Sequence, residues 1–145
     1  MSIWKRVRPW IIPAVVTLLF CLVLRFVVLI GYVPSASMEP TIKQDSLIFG
    51  WRIHNTPEVG DIVVFEKDDV LQVKRVAAGP GNIVDYSSLE YADALPIPTW
   101  SEKTIVVPAG CYFLLGDNTQ NSLDSRYWEE PFITEDQIVA IVPQR

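Results

Sequence analysis

The hydrophobic positions fall into two parts, one long continuous apolar run near the N-terminus and short interrupted runs after it. The long run reads WIIPAVVTLLFCLVLRFVVLIGYV over residues 10–33, and its one charged residue is Arg25. A helix of about 20 apolar residues crosses the hydrocarbon core of a bilayer. The pattern therefore predicts one transmembrane helix over residues 10–32. Pro9 and Pro13 fall in its first turns, where a missing N–H is best tolerated.

Basic residues before this run indicate its orientation. Lys5, Arg6 and Arg8 precede it without any acidic residue, so the positive-inside rule predicts that residues 1–9 stay in the cytoplasm. Residues 33–145 then form an extracytoplasmic domain at the cell membrane. Arg25, near the outer end of the helix, can extend its guanidinium to the lipid headgroups.

A cleavable signal peptide is the alternative interpretation of the N-terminal segment, because it also begins with basic residues and an apolar stretch. The small residues of GYVPSAS, residues 31–37, resemble a cleavage site. On that interpretation the chain is a secreted β domain that begins after about Ala36. The length of the apolar run favours an uncleaved anchor.

After residue 33, short β-branched and aromatic runs alternate with Gly, Pro, Asn and Asp, which is typical of an all-β domain. The predicted strands cover residues 46–53, 61–66, 70–78, 104–107, 111–115 and 138–142. Residues 85–103 form a polar excursion, either a hairpin or a surface loop. The predicted fold class is mainly β: a compact antiparallel β-domain, barrel-like or a folded sheet, preceded by one N-terminal transmembrane helix.

Charge and cysteine content exclude several functions. The first 32 residues carry four of the 12 basic residues, so residues 33–145 hold the other 8 with all 17 acidic residues, a net charge of −9. Nucleic-acid binding needs a basic face and is not expected. The two cysteines, Cys21 and Cys111, and the single His54 provide no metal-ligand cluster. We expect no metal and no cofactor.

The segment PSASMEPT, residues 34–41, is the first candidate for chemistry. Two serines among small residues and prolines are also typical of a capped turn that joins an anchor to a domain. A nucleophile here would lie at the membrane surface. A serine hydroxyl attacks only when another group takes its proton.

Lys74 is the best candidate for that base. It lies inside a predicted strand, where alternation places Gln72, Lys74 and Val76 on one face. Burial can lower the pKa of a lysine from about 10.4 towards about 7–8, which the role requires. The alternative is an ordinary solvent-facing lysine, and the other lysines after the anchor lie in polar segments that fit it. His54 lies in a polar turn and is a weak candidate.

A third polar cluster, GDNTQNSLDSRYW, covers residues 116–128. A loop after a strand is its simplest interpretation. A calcium loop is another, but the ligand spacing does not match the twelve-residue pattern and its terminal glutamate is missing. Asp124 and Arg126 lie two positions apart, so an ion pair between them is plausible.

With these clusters in order, the chain resembles the type I signal peptidases, the bacterial leader peptidases that use a Ser–Lys dyad. The resemblance runs from the anchor to about Trp128. It rests on PSASMEPT, GDIVVF (60–65), VKRVAAGPG (73–81) and GDNTQNSLDSRYW. Lysine rather than histidine before Arg75 matches the bacterial enzymes.

The resemblance implies a membrane-bound serine endopeptidase that removes signal peptides from exported preproteins through an acyl-enzyme. Ser37 is then the nucleophile, Lys74 the general base, and the N–H of Ser37 with the hydroxyl of Ser35 the oxyanion hole. Ser122 corresponds to a serine that hydrogen-bonds and orients the lysine. The other implied residues support the site (Asp124, Arg126, Gly116, Asp117 and Asn118) or line pockets for small side chains, giving an Ala-X-Ala preference (Val33, Pro34, Met38 and Val73).

Thr119, Gln120, Glu129 and Asn82 depart from the residues common in these motifs, and none of them is Ser37, Lys74 or Ser122. Those departures concern loop details. Two rival functions remain open from sequence: an inactive homologue, and a membrane-anchored β binding module without turnover.

Overall fold

The computed structural model of the protein describes residues 3–91, 93–96 and 103–144. Parts of two sequence predictions, the cytoplasmic N-terminus at residues 1–2 and the 85–103 excursion at residues 92 and 97–102, lie outside the described residues. One long helix comes first, and the rest is mainly antiparallel sheet, which confirms the predicted fold class.

The helix α1 spans Ile3–Phe26, so the sequence prediction of a helix up to residue 32 is wrong at its C-terminal end. Val28–Val33 form strand β1 instead. Its valines and isoleucine are stiff at χ1 and favour strands, and all six residues pair with strand β2. Within α1, Arg8–Phe26 has a mean hydropathy of 2.1 and is unburied, so by length and composition this helix could cross a membrane.

Nine strands occur within the described residues. After β1 they are β2 (Ser46–Trp51), β3 (Ile62–Lys67), β4 (Val70–Ala78), β5 (Ile83–Asp85), β6 (Thr104–Val106), β7 (Cys111–Leu115), β8 (Phe132–Thr134) and β9 (Ile138–Val142). One sheet has the order β1-β2-β9-β3-β4-β7-β8 with antiparallel neighbours, and β5 pairs with β6 in a small second sheet.

Strand β3 is buried on both faces, which explains why its sequence is continuously apolar rather than alternating. Ile62 and Val64 pack into one core, together with Leu29, Val33, Met38 and Ile48. Val63 and Phe65 pack into a second core on the other face, with Val76, Tyr112, Leu114 and Trp128. The central strand β3 is thus packed between two cores, one on each face of the sheet.

Two open strand edges matter for function. Strand β1 ends the sheet, and in the described part of the chain it pairs only with β2. In β4, pairing with β7 begins at Arg75, so within the described residues Val70–Lys74 pair only with β3. Both edges face one groove, whose lining includes residues from β1 and from the first half of β4.

Candidate active site

Ser37 and Lys74, which are 37 positions apart, meet at one end of this groove. The Nζ of Lys74 donates a hydrogen bond of 2.7 Å to the Oγ of Ser37. Both residues are only 5% exposed. Ser37 lies in the turn that follows β1, and Lys74 lies in β4 at the point where the open edge ends. The structure therefore brings the two predicted residues into direct contact in a site with little water.

Burial lowers the pKa of Lys74 from 10.5 to about 8. The negative charge of Asp124 acts in the opposite direction, and the positive charge of Arg126 lowers the pKa further. A lysine with this pKa has a substantial unprotonated fraction at mildly alkaline pH. Only the unprotonated amine can accept the hydroxyl proton of Ser37.

The turn that carries Ser37 is held by the loop after β7. Asn118 donates from its backbone N–H to the carbonyl of Ser37 at 3.0 Å and from its Nδ2 to the carbonyl of Ala36 at 3.1 Å. Met38, which is fully buried, holds the turn from the core side. The Oγ of Ser35 lies 3.3 Å from the Oγ of Ser37. The predicted residues Ser35, Ser37 and Asn118 thus belong to one cluster.

Gly116 lets the two loops approach each other. A Cβ at this position would lie closer than 3.0 Å to the Oγ of Ser122 and to the backbone oxygen of Ser37. Its N–H donates to Asp124 at 2.9 Å. No side chain larger than hydrogen fits here without a shift of the backbone that carries Ser37.

A buried ion pair joins Asp124 and Arg126 at 2.8 Å, with side chains 0% and 1% exposed. The hydroxyl of Ser122 donates to Asp124 at 2.7 Å. The family resemblance also implies a hydrogen bond between Ser122 and Lys74, and none is present among the described residues. The single proton of the Ser122 hydroxyl is donated to Asp124.

Arg126 also docks the excursion that follows β5, a contact that sequence analysis missed. Its guanidinium donates to the carbonyl of Glu90, and nearby the amide of Gln120 accepts from the N–H of Asp93 at 3.0 Å and donates to the carbonyl of Tyr91 at 3.4 Å. Most of these partners are backbone groups, so no residue type in the excursion marks them in the sequence.

Arg75 is a second residue that sequence analysis left without a role. It forms an ion pair of 2.6 Å with Asp117. Burial acts to raise the pKa of Asp117, but hydrogen bonds to Arg75 and Thr41 outweigh it and hold the pKa below its ordinary value. Strand alternation directs Arg75 and Lys74 to opposite faces of β4, and the ion pair of Arg75 holds the loop that carries Asp117. Arg75 directly follows Lys74 in the sequence, and this adjacent basic pair was the signal that could have drawn attention to Arg75.

The groove that leads to Ser37 has a volume of about 400 Å³. Of the four residues predicted to line a substrate pocket, Val33, Pro34 and Val73 line this groove, whereas Met38 does not. Met38 packs in the core because its side chain points beneath the turn, against residues such as Val33 and Ile42. His54 lies half-buried beyond β2, with its Nδ1 2.9 Å from the carbonyl oxygen of Asn55, and it does not line the groove.

Comparisons with known proteins identify relatives of this chain. The family model described as "Signal peptidase, peptidase S26" matches residues 5–97 and 88–144. A probable signal peptidase I-1 of Synechocystis is 36% identical, over 88% of this chain and 76% of its own length. A signal peptidase IB of Staphylococcus aureus is 31% identical, over 97% of this chain and 90% of its own.

A more distant relative is longer. The signal peptidase I of Pseudomonas fluorescens is 29% identical over 87% of this chain, and the match covers 64% of its own length. The family model nevertheless covers nearly the whole chain, and two relatives above 30% identity match most of their own length. The chain belongs to the signal peptidase family, peptidase S26.

Proposed function

We propose that this protein is a membrane-anchored serine endopeptidase that removes signal peptides from preproteins, with Ser37 as nucleophile and Lys74 as general base. One observation carries the proposal: the Nζ of Lys74 lies 2.7 Å from the Oγ of Ser37, and both side chains are buried. Membership of the signal peptidase family supports the substrate class. The reaction needs no metal or cofactor, because a neutral amine supplies the base.

The mechanism begins with an unprotonated Lys74. It accepts the proton of Ser37 while Oγ attacks the carbonyl carbon of the scissile bond. The N–H of Ser37 and the hydroxyl of Ser35 stabilise the oxyanion, and the protonated lysine then gives its proton to the departing amine. The ester left on Ser37 is hydrolysed by a water molecule that Lys74 deprotonates, which releases the signal peptide and restores the serine.

The buried ion pair keeps Lys74 available as a base. A lone carboxylate at Asp124 would stabilise the ammonium form of Lys74, because opposite charges raise the pKa of a lysine. Arg126 compensates this charge at 2.8 Å. Asp124 can therefore accept hydrogen bonds from Ser122 and from the N–H of Gly116 while the pKa of Lys74 stays lowered.

The groove suits an extended substrate. Strands β1 and β4 run in the same direction towards Ser37, and their open edges offer backbone hydrogen bonds to a strand inserted between them. Helix α1 joins β1 at the opposite end of the groove. The membrane-embedded part of a preprotein enters from that end, and the scissile bond then reaches Ser37.

An apolar face continues from the helix onto the sheet. The exposed side of the β1–β2 hairpin carries large apolar side chains that are 50–63% exposed: Ile30, Tyr32, Leu47, Phe49 and Trp51. They alternate along the strands, so they share one face, and paired residues of β1 and β2 bring them together. We assign this apolar face to the lipid interface, with the N-terminus in the cytoplasm and the sheet on the opposite side.

Cleavage of a preprotein in detergent tests the proposal. Ser37→Ala and Lys74→Ala are each expected to abolish processing, since one removes the nucleophile and the other the base. The matched control is Lys43→Ala, which changes an exposed lysine and should retain wild-type processing. Folding of each variant is checked by circular dichroism and by its thermal unfolding.

The rival functions make different predictions in the same assay. A binding module or an inactive homologue would show no turnover in the wild-type protein. A secreted domain would lack residues before about Ala36 when isolated from cells, and mass spectrometry of the purified protein would detect that loss. Retained cleavage by Ser37→Ala would refute the proposed nucleophile.

A further inference from the structure

An arginine without a partner lies at the membrane end of the groove. Arg52 follows β2, and its N–H donates to the carbonyl of Val27 at 2.9 Å, where α1 gives way to β1. Its side chain lines the groove together with apolar residues such as Leu29, Val70 and Leu71. Its Nε is buried, and among the described residues the guanidinium has neither a hydrogen bond nor an ion pair.

A buried donor without an acceptor is costly, and a guanidinium carries only donors. The surrounding groove wall supplies no carboxylate, because the residues that line it include no Asp or Glu. Arg52 therefore has unused hydrogen-bonding capacity that faces the space a substrate would occupy. The missing partner must be an acceptor: a carbonyl, a carboxylate or a phosphate.

The position of Arg52 selects among these acceptors. A strand rises about 3.3 Å per residue, so the five steps from Val33 to Val28 place Arg52 about 17 Å from the catalytic end. A substrate strand beside β1 would reach Arg52 roughly five residues upstream of the residue beside Val33. That part of a signal peptide adjoins its apolar segment, which precedes the cleavage region.

We propose that Arg52 binds main-chain carbonyl groups of the signal peptide at the point where its apolar helix ends and its extended segment begins. The inference rests on the proposed function. The last four carbonyls of a helix have no partner within the helix, and lipid chains cannot provide one. A cation near a helix C-terminus is also favoured by the helix dipole. Arg52 thereby positions the transition from helix to strand, and with it the scissile bond.

Two substrates compared in a phosphate-free nonionic detergent test this subsite. One is a full preprotein, and the other is a short peptide around the cut that ends before Arg52. The measured quantity is the KM for the preprotein divided by the KM for the short peptide. We expect Arg52→Met to raise this ratio about tenfold or more, because the variant loses a hydrogen bond to a charged group. Arg52→Lys, which keeps the charge, should lie between wild type and Arg52→Met.

Arg25→Met is the matched control, since Arg25 lies in the last turn of α1 and does not line the groove. An unchanged ratio in Arg52→Met, or equal changes for both substrates, would overturn the inference. It would also be overturned if the effect appeared only in vesicles of anionic phospholipid, because Arg52 would then bind lipid phosphate. Failure of the wild-type protein to cleave either substrate would instead refute the proposed function.

Discussion

Gly116 allows the turn that carries Ser37 to approach the loop that carries Ser122. Gly116→Ala would insert a Cβ closer than 3.0 Å to both partners, one of which is the backbone oxygen of Ser37. Because backbone cannot move aside easily, we expect a loss of about 1–3 kcal/mol in the free energy of unfolding. We also expect a loss of about 100-fold in kcat, since a displacement of about 1 Å at the nucleophile has that effect.

The matched control for this prediction is Gly79→Ala. A Cβ at Gly79 has its nearest neighbours at 3.9 Å, which is ordinary van der Waals contact. Kinetics on a short peptide and thermal unfolding measure both variants. If Gly116→Ala cleaved the peptide as fast as Gly79→Ala, the close approach at Gly116 would not be required for activity.

At the residue level, sequence motifs select Ser37 and Lys74 as candidates, but they do not establish the environment of the lysine. Alternation in β4 predicts correctly that Lys74 shares a face with Val76. Lys74 contacts the turn at Ser37 and lies within electrostatic reach of Asp124 and Arg126, and all three residues are remote from it in sequence. The same limit explains why Arg52 and Gln120 were missed: their surroundings are groove walls and backbone groups contributed by distant segments.

At the scale of elements, strand β1 of the β1–β2 hairpin connects α1 to the turn that carries Ser37. Phe49→Asp places a charge in the centre of the apolar face, where the phenylalanine is 56% exposed. We expect slower cleavage of preprotein embedded in vesicles, because burying a charge in the lipid interface is unfavourable. Cleavage of a short soluble peptide should stay at the wild-type rate.

Val106→Asp is the control for this hairpin prediction. Val106 is 60% exposed, but it lies in β6 of the small second sheet. Equal loss in both variants would indicate a general effect of added charge. Wild-type activity of Phe49→Asp on vesicles would show that the hairpin does not contact lipid.

Strand prediction from sequence succeeded where a run was apolar and bounded by turns. Strands β4, β7 and β9 have the predicted bounds, and β3 is shifted by one residue. Strand β1 was missed because its apolar residues continue the apolar pattern of the helix without a break. Strands β5 and β8, each three residues long, were not predicted, whereas the equally short β6 was. The boundary at Phe26 arises from pairing with β2, which is a tertiary interaction.

At the scale of the whole molecule, the buried lysine should reduce stability in a defined pH range. The pKa of Lys74 falls from 10.5 to about 8 on folding, so between these values the unfolded chain binds more protons and stability rises with pH. Below pH 8 the full cost of about 3 kcal/mol applies, and above pH 10.5 it is absent.

Lys74→Met tests this cost because it keeps the length of the side chain without the amine. At pH 7 the free energy of unfolding of Lys74→Met should exceed that of the wild type, and this excess should be larger than at pH 10.5 by up to about 3 kcal/mol. Urea unfolding of the full chain in detergent measures both values. A difference between variant and wild type that does not change with pH would contradict the lowered pKa.

The central claim is that a neutral Lys74 activates Ser37. The pH dependence of kcat/KM for preprotein cleavage tests it most directly, because this parameter reports the ionisation of the free enzyme. We predict that kcat/KM rises about tenfold per pH unit at low pH and levels off above an apparent pKa of about 8, while Lys74→Arg is inactive because a guanidinium keeps its proton. A flat profile between about pH 6 and 9, or near-normal turnover by Lys74→Arg, would contradict the claim.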